Sequence, residues 1–291
     1  MDITWDLFVN ALLSGLLLGG FYAATAVGIT IAFGMLDIAN IAHPAFMMLG
    51  AFLAYYFNTW LGVDPLIVTL VVMPFAFLLG RCVYKLYYQA FERRSDESLQ
   101  GLAFFFGVLF IVEVGLLLVF GVGYRFVTAP YIGPSIGMGP ISVPMRMVVP
   151  LLVGVGLVIS VQVFLSRTFM GRAILAVAQD REALRLVGVD PIWIKEIAFG
   201  IALATAVAAG ALLIIIQPVE PSVGRDFIGR VFAICVLGGM TSLGGTVLAS
   251  AIVGVAESFT STFAGPSWAP AVSFGLLIIT LAIRPSGIFG R

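Results

Sequence analysis

The chain of 291 residues is 61% hydrophobic and only 10% charged, with a mean hydropathy of +1.12. A soluble domain carries roughly 25% charged residues, so this composition excludes a water-soluble globule, along with collagenous and disordered chains. The 15 Lys and Arg balance the 15 Asp and Glu, which leaves no basic face for nucleic acid.

A helix needs about 20 mostly apolar residues to cross the bilayer core. Eight stretches qualify as hydrophobic segments, over 7–34, 45–61, 65–85, 101–122, 147–166, 196–216, 229–257 and 268–284. The first follows Asp2 and Asp6 without a Lys or Arg, the wrong charge for a signal peptide, and reads as a retained membrane helix. It carries small residues every four positions, Gly15, Gly19 and Ala23 beside Gly20, Ala24 and Gly28, ridges that let helices approach closely. The seventh segment is interrupted by Leu237-Gly238-Gly239-Met240-Thr241-Ser242-Leu243-Gly244-Gly245, whose four glycines in eight residues predict a broken or re-entrant pair. The runs are too long for barrel strands. The expected fold is an all-α polytopic bundle, a single transmembrane domain over 1–291.

Lys and Arg concentrate in 81–97, in 167–195 and in the C-terminal tail, which places these on the cytoplasmic side and the N-terminus outside. Segments 122–146 and 217–230 each hold two arginines, exceptions to the asymmetry. This orientation requires 229–257 to enter and leave on one side. Cys82 and Cys235 read as small buried hydrophobes, and with a single histidine no Cys/His metal site is expected. The sequence has no GxxxxGK[ST] loop, no HExxH and no Gly-x-Ser-x-Gly elbow, so neither nucleotide hydrolysis by a P-loop nor an intramembrane enzyme is expected.

Residues 167–190 form the longest polar interruption, yet they are built to fold. Asp180 suits an N-cap, Glu182 a first turn and Arg185 a last turn; Gly188 suits the left-handed position after a helix, and Pro191 stops it. So short a helix is not stable alone. Leu184, Leu186 and Val187 give it apolar surface, to be covered by the chain's own helix ends or by a cytoplasmic partner.

This segment, Gly171-Arg172 to Gly188 with Ala178-Gln179-Asp180, resembles the cytoplasmic loop of the branched-chain amino acid ABC importer permeases of the LivH type. Three further blocks resemble the same family in order. They are Ile31-Ala32-Phe33-Gly34 with Asn40-Ile41-Ala42-His43 and Met48-Leu49-Gly50-Ala51; Leu237 to Gly245 leading to Gly254-Val255-Ala256-Glu257; and Arg284-Pro285-Ser286-Gly287-Ile288-Phe289-Gly290. The chain departs from the family pattern at Pro44, where a glycine is usual, and at Glu113, where a neutral polar residue is usual.

The resemblance implies a multi-pass permease of the bacterial inner membrane. It would pair with a second permease, either a homologue or a second copy, and would work with two cytoplasmic ATP-binding-cassette ATPases and an extracytoplasmic binding protein. It implies no cofactor on this chain, with ATP and Mg on the ATPases. Gly171, Arg172, Asp180, Glu182, Arg185 and Gly188 would then belong to the coupling segment. Asn40 and His43, ahead of a helix begun by Pro44, are candidates for the substrate path if that helix starts inside the membrane, where its amides face a carboxylate; ordinary capping is the plainer reading. Glu113 is a third candidate. A lone carboxylate at mid-span costs about 2.5–3.5 kcal/mol and must face protein or water or be protonated, with a substrate ammonium or a hydrogen bond to a neighbouring helix as its partner. Glu257 reads as interfacial, and Gln217 with Glu220 as part of an outer vestibule or docking surface. The rival class is an ion-gradient-driven carrier with Glu113 as the ion site.

Overall fold

The computed structural model describes residues 5–92, 97–138, 141–186, 188–284 and 286–290. In chain order the helices are α1 (Trp5–Ile29, continued by a π-helical turn Thr30–Met35), α2 (His43–Leu61), α3 (Pro65–Ala90), α4 (Glu97–Phe120), α5 (Met145–Arg167), α6 (Phe169–Gln179), α7 (Arg181–Leu186), α8 (Pro191–Ile216), α9 (Gly224–Gly238), α10 (Leu243–Phe263) and α11 (Ala269–Ile283). Seven helical stretches among the described residues are long and apolar enough to cross a membrane: α1 with its π turn, α3, α4, α5, α8, α10 and α11. The remaining membrane-depth helices, α2 and α9, are shorter or less apolar.

At the centre stands α8, apolar on every side and almost wholly buried. Its small residues allow this. Gly210 lies against the Met47 backbone of α2, and Gly200 against Phe77 of α3. The first small-residue ridge of α1 packs on α10, and the second packs on α5 at Gly20 and on α8 at Gly28. A Cβ on Gly15 would stand 2.6 Å from Val255 of α10, whereas Gly20 faces Leu151 of α5.

The segment expected to break does so at the glycines. Gly238 ends α9, Gly239 has φ +89, and Ser242 caps α10 by accepting from Gly245 N–H at 3.1 Å. The C-terminal block closes over this turn: Ile288 N–H donates to Leu237 O at 2.8 Å, and Gly290 lies against Gly239. Two sequence blocks nearly fifty residues apart are thus one structural feature. The α9–α10 hairpin enters and leaves on the same side, as the charge distribution requires.

The Lys/Arg-rich segments meet at one end of the bundle. There Arg81 and Lys85 of α3 pair with Glu196 of α8 at 2.6 and 3.4 Å, and Lys195 pairs with Glu92. By the positive-inside rule this end is cytoplasmic. At the opposite end a small hairpin, β1 (Ser135–Met138) with β2 (Ile141–Pro144), lies beside α1. Asn58 there exchanges two hydrogen bonds with the backbone of Thr128, at 3.1 and 2.9 Å. Tyr131 donates to Asp64 at 2.9 Å, and burial together with that carboxylate pushes its phenol well above its ordinary value.

Candidate functional site

After the π turn the chain passes Asp37, a non-glycine residue at φ +60, and climbs back into the bundle before starting α2. His43 Nε2 lies 3.0 Å from the Thr25 carbonyl, so that nitrogen carries the proton. Thr25 is about 15 Å, at about 1.5 Å per residue, above the inner end of α1 at Met35. The helix therefore begins inside the membrane, the condition on which the substrate-path reading of Asn40 and His43 rests. Yet His43 and Asn40 are both fully buried. Asn40 Oδ1 accepts from Ala42 N–H at 3.1 Å, closing the entry turn. In this conformation both are enclosed in the helix junction rather than set on a cavity wall.

Glu113 has a partner that no local reading supplies. Arg225, in the first turn of α9, meets it through two bonds, Nε to Oε2 at 2.8 Å and Nη2 to Oε1 at 2.7 Å. The Arg225 guanidinium also lies over the Phe110 ring at 5.3 Å. Glu113 itself is buried. The pair removes the need for a bound ion or ammonium to balance this carboxylate.

Glu257, read from the sequence as interfacial, is 2% exposed and enclosed by protein. It accepts from Tyr22 at 2.5 Å, from Arg230 Nε at 3.0 Å and from Ser273. The network ties together α1, α9, α10 and α11. It borders a cavity of about 560 Å³ that is also lined by Arg146, Gln217 and Thr262. Gln217 lines this cavity, and Glu220 accepts a local bond from Ser222 at 2.7 Å. Sequence reasoning missed Tyr22, Arg230 and Ser273. One signal was available: Arg225 and Arg230 stood as exceptions to the charge asymmetry, and both are helix residues paired with carboxylates rather than loop charges.

A second cavity, about 370 Å³, opens at the cytoplasmic end and is lined by Asp37, Tyr87, Glu92, Phe105 and Lys195 among others. Beside it lies the polar interruption, which is two helices rather than one. Thr168 caps α6 by accepting from Gly171 N–H at 3.0 Å, and Gly171 lies against the Phe164–Leu165 backbone of α5. Ala173, Ile174 and Val177 bury one face of α6, while Arg172 is exposed. Asp180 ends α6 in extended conformation as α7 begins, and Gly188 takes φ +77 after α7 as expected. Asp190 then caps α8 through Ile192 N–H at 2.9 Å. Leu184 is buried and Arg185 exposed; the Glu182 side chain and Val187 lie outside the described residues. Phe169 and Leu186, 69% and 88% exposed, stand uncovered on the cytoplasmic side. Among the described residues no cluster of three His, Cys, Asp or Glu could hold a metal ion.

A protein-family model matches the chain along nearly its whole length. The family is described as branched-chain amino acid transport system / permease component, and its profile covers residues 11–281. The chain belongs to this family. The permease protein BraD of the high-affinity branched-chain amino acid transport system of Pseudomonas aeruginosa is 28% identical, covering 98% of this chain and 96% of BraD. LivH of Escherichia coli K12 is 26% identical over 98% of this chain and 96% of its own length. A probable LivH of Methanocaldococcus jannaschii is 23% identical over 91% and 87%. Among solved structures, PsaBC from Streptococcus pneumoniae in complex with Fab is similar at TM-score 0.47 and 15% identity, covering 97% of this chain and 93% of its own. This permease is a transport subunit and a multi-pass protein of the inner membrane.

Proposed function

We propose that this permease imports branched-chain or related apolar amino acids, energised by ATPases that dock on its cytoplasmic helix pair. The family match from 11 to 281 carries the reading. The exposed Phe169 and Leu186 on α6 and α7 support it, since apolar side chains at an aqueous face call for a cover. In this reading a second permease completes the path, two cytoplasmic ATP-binding-cassette subunits bind ATP and Mg, and an extracytoplasmic protein delivers the substrate. Nucleotide-driven motion shifts the bundle between outward- and inward-open states to the extent that the ATPases prefer one of them. The bidentate Glu113–Arg225 pair leaves the rival ion-coupled reading without its ion site.

The test is purification in mild detergent followed by uptake of labelled leucine into proteoliposomes. Co-purification of a P-loop ATPase and uptake that requires ATP are expected. Uptake driven by an ion gradient in the absence of ATP would overturn the assignment. Phe169→Asp with Leu186→Asp should leave the permease inserted but abolish ATP-dependent uptake, read alongside ATPase co-purification. Retention of both would remove α6 and α7 as the docking surface.

A further inference from the structure

The Glu113–Arg225 pair has an unusual setting. Gly224, where α9 begins, is packed on the first turn of α2: a Cβ there would stand 3.1 Å from Pro44 O and 2.9 Å from Met48. Pro44 adjoins His43, whose neighbour Thr205 lies, at about 1.5 Å per residue, roughly 20 Å from the inner end of α8. Arg225 is therefore near the middle of the membrane. Its side chain is nevertheless 53% exposed, and the next residue, Asp226, is exposed too. Charged groups at that depth face protein or a water-filled space rather than lipid.

The guanidinium is also held ready. Glu113 takes two of its N–H groups in a fork from one side, and Phe110 covers one face. A guanidinium has more donors than that fork uses, and about half of the Arg225 side chain is exposed. Phe110, under the guanidinium, is exposed on α4, and the exposed Phe106 packs on it with ring centroids 4.9 Å apart. A fixed guanidinium edge next to apolar rings suits one ligand chemistry: a carboxylate carrying an apolar side chain.

We propose that Arg225, positioned by Glu113 and Phe110, binds the α-carboxylate of the transported amino acid on a water-facing wall of the translocation path. This rests on the amino-acid import reading above, and the experiment separates the two. The complete transporter, with its partner permease, ATPases and binding protein, is reconstituted and ATP-dependent leucine uptake is measured. Failure of the wild type to show such uptake overturns the import reading before any variant is considered.

Given wild-type uptake, Arg225→Gln should lower it roughly 10- to 100-fold, the range that charge-assisted hydrogen bonds confer. The double variant Glu113→Gln, Arg225→Gln removes both charges together and leaves no unpaired carboxylate. It should assemble, by co-purification of the subunits, and remain as slow as the single variant. Recovery to wild-type uptake would show that Arg225 only balances Glu113 and would overturn the proposal. Finally, Arg225→Cys is made in a Cys82→Ser background. Aqueous methanethiosulfonate ethylammonium should label it and partly restore uptake, whereas the neutral methyl reagent should label without restoring. A thiol that water-borne reagent cannot reach, or equal effects of the two reagents, would overturn the proposal.

Discussion

Glu257 shows how a single side chain in a span is worth more than its charge. Its carboxylate is buried and shared by Tyr22, Arg230 and Ser273. Removing one partner of a buried pair strands the other and costs about 3–5 kcal/mol. Glu257→Gln should therefore lower the unfolding midpoint in detergent sharply, while Tyr22→Phe, which loses one bond to a charged group, should lower it less. A Glu257→Gln protein as stable as the wild type would mean that the network holds no helices together. None of this was legible locally. A glutamate at the end of an apolar run looks interfacial, and only the arrival of α1, α9 and α11 around it makes it central. The same holds for Glu113, which has no cation within a turn of its own helix and finds one 112 residues away.

At the scale of elements, close approach decides the architecture. The α2–α8 contact depends on Gly210, where any side chain would collide with the Met47 carbonyl. Gly210→Ala should destabilise the protein by about 1–3 kcal/mol through overpacking, read as a drop in thermal midpoint. Gly107, with nothing near its absent Cβ, serves as the control, since Gly107→Ala should be harmless. Equal behaviour of the two would refute the packing account. The small-residue ridges of α1 were visible in sequence because they recur every four positions, and both ridges are used. The composition of α8 was equally visible, but its central place was not. A helix apolar all round carries no stripe to say which neighbour lies on which side.

For the whole molecule, the arrangement predicts an accessibility pattern. In a Cys82→Ser background, a cysteine at Thr128, beside Asn58, should react with impermeant maleimide in intact cells. A cysteine at Gln179, exposed at the end of α6, should react only after the membrane is opened. The reverse pattern would invert the topology. The sequence alone determined the membrane class, the helical segments, the glycine break, the short helix α7 and the family resemblance. These follow from length, composition and local spacing, which act over a few turns of chain. The tertiary structure decided which charges pair, that α2 starts at mid-depth, that the C-terminal block closes over the α9–α10 turn, and that α6 precedes α7. Each of these depends on which faces of distant helices meet, and in a chain this apolar the sequence periodicity does not mark those faces.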